Sequence, residues 1–432
     1  MFDYDLLILG AAAGGLEAAI VALQERSRVA LLTLGLPLAP ETIAHLSTLQ
    51  QGGVDVIEDS GYFLPHAQGL QTLQRSRLLR SRCSLLALPS QPIVPHLPGL
   101  ESIPYHTELS EQVGVQGKPE HWLIWGETPE SLSYCHQLIE QKQQVTLLLR
   151  KPLLFPLFQR IQGYLEGRGV EILTAICCTG VEPKGAGLRL FADQRQWCGD
   201  RLLLAFGQQP IDIASHRLNL NLSALHPQLS LPLAVNRFLQ SQFVPNLYGC
   251  GISLGGIALD SMARYEARIA VFNALYSPQR SPRYDCIPYS LLEVPAVTQV
   301  GWTIESARQH WPASALRSLT CSGFWDSPFE PAATQDLGLN SDSGLLQPSF
   351  QILLDRKDRI LGAQGIGTRS AQAVQVIGLA RQRRLTWPQL LRSLPGGEVA
   401  DLLYALQTSQ IAEAPKGAWR ESFFNWRRTG YF

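Results

Sequence analysis

The feature that most restricts the fold of this chain is a glycine-rich turn close to its start. An apolar run, Asp5–Leu9, leads into Gly10-Ala11-Ala12-Ala13-Gly14-Gly15 and then into Leu16–Ala19. The pattern is typical of a buried strand, a tight turn and a helix whose amides and dipole receive the diphosphate of a dinucleotide. That fingerprint has glycine at three positions, and Ala12 occupies the middle one. The turn therefore predicts a dinucleotide-binding βαβ unit with an altered diphosphate site.

Length and composition describe a globular protein of several domains. The chain has 432 residues, of which 45% are hydrophobic and 17% charged, and these values exclude a disordered chain. Its formal net charge is zero, which argues against binding to nucleic acid or to an anionic membrane. No apolar run reaches transmembrane length and the start has no basic segment, so we expect a cytoplasmic protein without a secretory signal.

The cysteines and histidines predict neither a redox pair nor a metal site. No CxxC motif occurs among the eight cysteines. Cys177 and Cys178 follow the apolar run Glu171–Ile176, and since a vicinal disulfide would strain a strand, we expect buried thiols in a reducing compartment. Four histidines lie at no spacing to cysteine or carboxylate that suggests metal binding: His45, His96, His106 and His310.

A second strand, turn and helix occur at Trp122–Ser131, where Gly126 is the one glycine left of three. A helix over Leu132–Lys142 and a strand over Gln144–Arg150 follow. This pattern predicts a second βαβ unit.

An α+β region follows a linker rich in proline, serine and arginine at 276–285. Two apolar runs around a charged turn, Phe350–Leu354 and Ile360–Ala363, predict a hairpin. We expect helices over Ser370–Arg383 and Trp387–Gln407, and a loop over Cys321–Pro348.

In this order, these segments resemble the flavoprotein disulfide reductases, such as glutathione reductase, dihydrolipoamide dehydrogenase and mercuric reductase. Val244–Tyr248 is similar to the segment before the flavin-contacting turn, and Cys286–Gly301 to the start of the dimerisation domain. The resemblance implies an α/β protein with two Rossmann-like FAD/NAD(P)-type nucleotide-binding folds, one inserted in the other, and an α+β C-terminal dimerisation domain. The implied segments are 1–108 and 206–282 for the FAD-type fold, 109–205 for the NAD(P)-type fold, 283–412 for the dimerisation domain and 413–432 for a tail.

The resemblance also implies a redox disulfide and a proton-transferring histidine, and the sequence departs from both. The family carries two cysteines on a helix after its first βαβ unit, but Leu34–Gly53 contains none. Leu394 lies at the histidine position, and Glu398 is the expected glutamate shifted by one residue. We therefore assign no catalytic residue and expect no disulfide reduction by the family mechanism.

The cofactor positions implied by the resemblance are altered as well. For FAD they are Gly10, Ala12, Gly14, Gly15, Thr33, Gly251 and Ile252, where Thr33 replaces the acid that holds the adenosine ribose and Ile252 replaces an aspartate. For NAD(P) they are Gly126 and Arg150. The glycines either cradle a phosphate or only let strand and helix pack closely. Arg150 and Lys151 are either a phosphate site or a solvated strand end. We expect that FAD, if bound at all, is bound weakly, and that NAD(P) is not bound.

The tail at 413–432 places Trp419, Phe423 and Trp426 on one helical face beside arginines. It either packs on the protein's own dimer or docks on another protein, since these residue types are enriched at interfaces. A membrane-surface role is a third alternative, disfavoured by the few basic residues.

The sequence as a whole predicts a homodimeric pseudo-oxidoreductase that acts as a scaffold, binding or regulatory protein. The alternative is an FAD-dependent NAD(P)H oxidoreductase that uses no disulfide.

Overall fold

A computed structural model describes residues 2–65, 69–74, 76–109, 119–153, 157–192, 195–211, 220–256, 258–292, 296–322, 349–397, 399–404 and 406. Its strands are, in chain order, β1 (Tyr4–Leu9), β2 (Val29–Leu32), β3 (Asp55–Ile57), β4 (Gly61–Phe63), β5 (Leu70–Thr72), β6 (Leu78–Leu79), β7 (Ser81–Leu86), β8 (Ser90–Pro92), β9 (His121–Gly126), β10 (Gln144–Leu149), β11 (Glu171–Thr174), β12 (Gly180–Lys184), β13 (Gly187–Ala192), β14 (Arg195–Gly199), β15 (Arg201–Ala205), β16 (Gln208–Pro210), β17 (Leu247–Gly249), β18 (Tyr289–Leu292), β19 (Val297–Gly301), β20 (Leu316–Ser322), β21 (Ser349–Asp355) and β22 (Ile360–Ile366). Its helices are α1 (Ala13–Gln24), α2 (Pro40–Gln51), α3 (Glu130–Glu140), α4 (Phe158–Gly167), α5 (Asp260–Leu275), α6 (Ile304–Arg308), α7 (Thr368–Gln382) and α8 (Trp387–Ser393).

The first of two compact units comprises Met1–His96 and Phe206–Pro282. It contains a parallel sheet with the strand order β17-β7-β1-β2-β3. The central strand β1 pairs Ile8 with Leu31 of β2 and with Leu85 of β7, and all three side chains are fully buried. Continuous apolar runs of this kind form because a parallel sheet is covered on both faces.

Helices α1 and α5 cover one face of this sheet and lie parallel to each other. Small residues make the close packing possible: a Cβ added at Gly14 of α1 would lie 2.9 Å from Sγ of Cys250 and 3.4 Å from Cβ of Ala263 in α5. Further along, Arg268 Nε donates to Glu17 Oε1 at 2.6 Å. Both helices therefore begin at the same edge of the sheet, the edge formed by the carboxyl ends of its strands.

The second unit comprises Leu97–Ala205 and the region from Arg283 onward. It has a parallel sheet of order β11-β10-β9-β15 and an antiparallel sheet β12-β13-β14. The predicted second βαβ unit is confirmed as β9-α3-β10, with Ile124 paired to Leu147 at the fully buried centre.

The α+β region of this unit is an antiparallel sheet of order β18-β19-β22-β21-β20. The predicted hairpin is confirmed, since β21 and β22 pair Leu353 with Gly362 across the charged turn. Phe350 and Ile352 on β21 pack with Val374 and Ile377 of α7 in one apolar cluster.

Two local predictions are wrong. The helix expected over Trp387–Gln407 ends at Ser393, and helical residues resume only at Val399, because Pro395 cannot continue a helix and Gly396 and Gly397 have positive φ values of 126° and 102°. Cys177 is exposed and Cys178 is half-buried, because β11 ends at Thr174, before either cysteine.

The α/β fold class with Rossmann-like parallel sheets is confirmed. Within the described residues, no helix is both long and apolar enough to cross a membrane. The tail at 413–432, Glu398 and most of the loop expected over Cys321–Pro348 lie outside the described residues.

Candidate functional site

The first glycine turn is fixed by close approaches between backbone segments. Gly10 has φ of +111°, and a Cβ there would lie 2.2 Å from the carbonyl oxygen of Ala87. A Cβ at Gly15 would lie 2.0 Å from the carbonyl oxygen of Gly10. No side chain fits at either position, so these two glycines bring β1, β7 and α1 together as a dinucleotide fold requires.

The N-terminus of α1 is open to an anion. Ala12 is its N-cap, with extended backbone (φ −69°, ψ 173°) and no side chain to cap the helix. The first turn holds no acidic residue, and the first intrahelical bond runs from Leu16 N to Ala12 O. Because the leading N–H groups of a helix have no intrahelical partner, they and the helix dipole attract an anion here.

A pocket of about 80 Å³ lies over this helix end. Its lining residues come from the β1–α1 turn, the ends of β7 and β17, and the start of α5: Ala12, Ala13, Gly14, Ala87, Leu88, Ser90, Cys250, Gly251, Ile252, Ala258, Leu259, Asp260 and Ala263. This set includes four of the seven predicted FAD positions, namely Ala12, Gly14, Gly251 and Ile252. No lysine or arginine belongs to the set, so it offers an anion backbone N–H groups and the Ser90 hydroxyl, and the Asp260 carboxylate acts against an anion.

The wall opposite α1 is apolar and tightly built. The N–H of Gly251 donates to Oε2 of Glu266 at 2.6 Å, and Glu266 is buried. Burial, helped by the Glu266 carboxylate, raises the pKa of the Cys250 thiol. Ile252, which is 6% exposed, presents an alkyl group at the position where the family resemblance implies an aspartate. Cys250 and Ile252 therefore supply shape rather than hydrogen-bond acceptors, and the acceptor on this side is the carboxylate of Asp260 at the start of α5.

Thr33, the position predicted for ribose recognition, is not part of the pocket lining. It follows β2 directly, is only 3% exposed, and donates its N–H to the carbonyl oxygen of Ile57. The structure thus brings Ala12, Gly14, Gly251 and Ile252 together at one pocket and leaves Thr33 in the protein interior.

Comparisons with known proteins agree with this architecture. No protein-family model matches the chain. Its sequence is 22% identical over 353 residues to glutathione reductase of Nostoc sp., covering 78% of this chain and 73% of that protein. It is 20% identical over 341 residues to the probable pyridine nucleotide-disulfide oxidoreductase RclA of Escherichia coli, covering 77% and 74%. A mercuric reductase of Staphylococcus aureus is 23% identical over 274 residues, and the chain spans about half of its length.

The chain is similar in sequence to members of the flavoprotein disulfide reductase family. Solved structures show the same fold. The Cu(II) complex of the HOCl-induced flavoprotein disulfide reductase RclA from Escherichia coli superposes with a TM-score of 0.72 at 18% identity, covering 94% of this chain and 99% of that one. LpdA from Mycobacterium tuberculosis has a TM-score of 0.74 at 16% identity, covering 93% and 99%.

The flavoprotein fold raises the question of whether this pocket fits FAD. The uncapped start of α1, whose residues Ala12, Ala13 and Gly14 line the pocket, fits a diphosphate. The family's flavin supplies hydride and electron transfer when bound, and this chain's part would be to hold its diphosphate. The residues present therefore fit the central part of the dinucleotide.

The turn of the second nucleotide fold is organised differently. Gly126 ends β9, but Thr128 Oγ1 donates to the Glu130 carboxylate at 2.9 Å in the first turn of α3. Glu127 binds Arg150, with Oε2 2.6 Å from Nη2, and lies 4.0 Å from Lys151 Nζ. Carboxylates of the chain itself thus lie where a diphosphate would meet the helix dipole.

The thiols of the described residues do not form a pair at the pocket. All eight cysteines are free, and Cys250, the one that lines the pocket, is buried. Cys198 lies on β14 of the second unit, exposed to solvent, and a hydrogen bond from Lys184 lowers its pKa. Leu394 is the C-cap of α8. Among the described residues, no cluster of three metal-ligating side chains occurs.

Sequence reasoning missed three residues that shape the pocket: Cys250, Asp260 and Glu266. Ala263 and Glu266 are three apart on α5 and share a helix face, and Ala263 lines the pocket. Helical spacing from the Gly251 turn could have pointed to Glu266, but nothing local could have shown that α5 starts beside α1.

Proposed function

We propose that this chain is a family member that keeps the diphosphate cradle of the flavin fold and works without a redox dithiol, as a dimeric binding or regulatory protein. Disulfide reduction by the family mechanism needs two thiols beside the flavin, one to attack the substrate and one to resolve the mixed disulfide. The chain offers no such pair at its pocket.

The stretch between β2 and β3 carries this proposal. β2 ends at Leu32, α2 spans Pro40–Gln51, and β3 starts at Asp55, so α2 is the crossover helix of the sheet. Leu46 and Leu49 anchor it to the core. No cysteine occurs in the chain before Cys83, so neither α2 nor its flanking loops can carry the dithiol.

The thiol that does line the pocket is unsuited to the task. Only a thiolate attacks a disulfide, and burial raises the pKa of Cys250. Its Sγ is also confined, since it lies 2.9 Å from the point where a Cβ of Gly14 would be. Cys250 therefore acts as a small apolar group that spaces α1 from β17.

The altered cofactor positions support a weakened grip on FAD and no use of NAD(P). The side chains of Thr33 and Ile252 replace two acids that would accept hydrogen bonds from ligand hydroxyls, and each lost charged bond costs about 1.5–3 kcal/mol. In the second fold, Glu127 and Glu130 oppose a bound diphosphate, and Glu127 already pairs with Arg150.

The test is a titration of the purified full chain with FAD, followed by assays on glutathione disulfide, lipoamide and Hg²⁺ with NADH or NADPH. We expect measurable but reversible FAD binding and no turnover of these substrates. Enzyme-like turnover of any of them by the FAD-loaded chain would refute the dithiol-free assignment.

One observation favours a second candidate, an FAD-dependent NAD(P)H oxidoreductase that passes electrons to an acceptor other than a disulfide. The N-terminus of α1 has neither a capping side chain nor an acid in its first turn, and packing alone does not require that. A preparation that holds one FAD per chain through dialysis, and whose flavin absorbance NADPH bleaches, would favour this candidate.

We also propose that two copies associate through residues 283–412. Exposed apolar side chains on this region support the idea: Leu379 on α7 is 57% exposed and Tyr404 is 42% exposed. Light scattering of the full chain should give a dimer at micromolar concentration, and Leu379→Glu should shift it toward monomer.

A truncation after Pro415 should remain dimeric and tests whether the tail docks a separate protein.

A further inference from the structure

We propose that one end of the antiparallel sheet of the α+β region binds single-stranded nucleic acid, through cations that contact phosphates and aromatic rings that stack on bases. The site comprises three loops of the second unit, 312–317, 355–359 and 382–387, which we call the basic surface. The inference goes beyond the proposed function and does not depend on FAD binding. It is compatible with a formal net charge of zero, because a net charge does not describe how charges are distributed over a surface.

Direct hydrogen bonds bring the three loops together. Arg356, in the turn between β21 and β22, donates from Nε to the carbonyl oxygen of Ser314 at 3.0 Å and from Nη2 to its Oγ at 3.1 Å. The N–H of Trp387 donates to the carbonyl oxygen of Asp358, in the same turn, at 2.8 Å. The turn therefore lies between the other two loops, and the three form one continuous surface.

The basic surface has a strong excess of positive charge. Its six cations are all exposed: Arg317, Arg356, Lys357, Arg359, Arg383 and Arg384. Its carboxylates are those of Asp355 and Asp358. Asp355 Oδ2 accepts from Arg359 Nε at 2.6 Å, and Asp358 Oδ1 accepts from Arg317 Nη2 at 2.6 Å. Both carboxylates are thus already paired within the surface, which keeps an excess of four positive charges.

Three of the cations are available to a ligand. Within the described part of the chain, the side chains of Lys357, Arg383 and Arg384 make no hydrogen bond or ion pair. Arg381, which is 7% exposed, anchors the end of α7 just before them, since its Nη2 donates to Asp285 Oδ2 at 2.7 Å. Because arginine presents a planar fork that matches a phosphate, a fixed surface rich in arginine is suited to a phosphodiester chain.

An aromatic cluster directly precedes the basic surface. The ring of Trp302 lies 4.6 Å from that of His310 and 5.2 Å from that of Trp311, the last at an interplanar angle of 86°. His310 is exposed, and the two tryptophans are half-buried. The charged residues of α6, Glu305 and Arg308, cancel each other. Aromatic rings beside cations bind single strands by stacking on unpaired bases, which an acidic peptide or a lipid headgroup lacks.

The first test is fluorescence anisotropy of a labelled oligothymidylate of about 20 nucleotides, titrated with the full chain at two salt concentrations. We expect a dissociation constant in the micromolar range at about 50 mM salt. With about four phosphate contacts, the affinity should be about fiftyfold lower at about 200 mM salt. No binding at about 50 mM salt would overturn the proposal. FAD titration and substrate assays test the proposed function separately, so either can fail without the other.

A triple variant tests the basic surface itself. Lys357→Gln combined with Arg383→Gln and Arg384→Gln removes the three available cations and should weaken binding at about 50 mM salt by about tenfold or more. The same rise in salt should then lower the affinity of the variant only about threefold, because about one phosphate contact is left.

The matched control removes the same charge from other parts of the surface. Arg26, Lys142 and Arg195 are exposed and lie outside the basic surface and the aromatic cluster. Changing all three to glutamine should leave the affinity for the oligonucleotide within about twofold of the unaltered chain. Equal losses in the two triple variants would overturn the assignment to the basic surface.

Base stacking separates single-stranded nucleic acid from other anions. An abasic strand of the same length carries the same phosphates and should bind about tenfold more weakly than the oligothymidylate. Trp311→Leu should weaken binding of the oligothymidylate about five- to tenfold and leave binding of the abasic strand unchanged. Equal or tighter binding of the abasic strand, of poly-glutamate of similar length or of phosphatidylserine vesicles would overturn the assignment to nucleic acid.

Discussion

The two glycine turns of this protein have the same topology but differ in the acidic residues at the helix that follows each turn. At the first turn, α1 starts without a capping side chain or an acidic first turn, and a pocket lies over its amides. At the second, Glu130 begins α3, and Glu127 beside it holds Arg150 at 2.6 Å. Neither helix end is capped by a side chain, but the first turn of α1 contains no acid, whereas Glu127 and Glu130 lie beside the start of α3.

The difference shows that a glycine-turn fold and an anion site are separable properties. A Cβ at Gly126 would lie 2.3 Å from the carbonyl oxygen of Ala205, as close as the corresponding contact of Gly10 with Ala87. Both turns therefore require glycine for packing. Only the first also keeps the helix end available, so it is the turn on which a ligand-binding role depends.

The largest effect is expected from Gly10→Ala. The change combines a positive φ with a Cβ 2.2 Å from a backbone oxygen, and it should lower the free energy of unfolding by about 2–5 kcal/mol. Gly53→Ala is the matched control, because Gly53 has φ of +104° but no atom near its added Cβ. Equal losses for the two variants in urea unfolding would show that the close approach to β7 contributes nothing.

A fall in pH should destabilise the second nucleotide-type fold through His136 of α3. This side chain is 5% exposed, its Nε2 has no hydrogen-bond partner, and burial lowers its pKa. The unfolded chain binds the proton more readily than the folded chain does. The stability that depends on a neutral His136 is therefore fully present above the ordinary histidine pKa of about 6.5, and it is lost as the pH falls below that value. We expect the free energy of unfolding to fall by about 1 kcal/mol between pH 7.5 and pH 5.5.

His136→Leu should flatten this part of the pH dependence, because it removes the titrating group from an apolar site. Urea unfolding of both proteins at the two pH values measures it. An unchanged slope in the variant would assign the acid sensitivity to other groups.

Ala12→Gly tests whether the methyl group at the first turn obstructs a diphosphate. Ala12 already has extended backbone angles, so glycine should leave the fold intact and tighten FAD or ADP binding about three- to tenfold. Ala39→Gly, at the N-cap of α2 with similar angles, is the control and should leave affinity unchanged. Weaker binding by Ala12→Gly would mean that the methyl group contributes to the site.

The smallest effect is expected from opening the second turn. Glu127→Gln combined with Glu130→Gln removes two carboxylates from the start of α3. It should raise the affinity for NADPH, which we expect to be negligible in the unaltered chain, by about threefold. The same change at Glu41, in the first turn of α2, should have no effect on NADPH. NADPH binding that is already tight in the unaltered chain would remove the contrast between the two turns.

The sequence alone determined the elements that rest on local periodicity and on backbone chemistry. β1, the turn at Gly10–Gly15 and the hairpin of β21 and β22 follow from apolar runs and from positions where only glycine fits, and both signals are short-range. The sequence alone also shows that no cysteine occurs between β2 and β7. The helix expected over Trp387–Gln407 was wrong because one proline and two glycines outweighed the apolar period around them.

The tertiary structure decided which groups surround the first helix end. Cys250 and Glu266 are distant from Gly14 in sequence, and they reach the pocket only because α5 packs parallel to α1 over small residues. The burial of Thr33 and the pairing of Glu127 with Arg150 were equally invisible in the sequence, because burial and charge pairing depend on which strands end side by side. Periodicity and backbone sterics act within a few residues, whereas the electrostatic character of a site is set by elements that only the folded chain brings together.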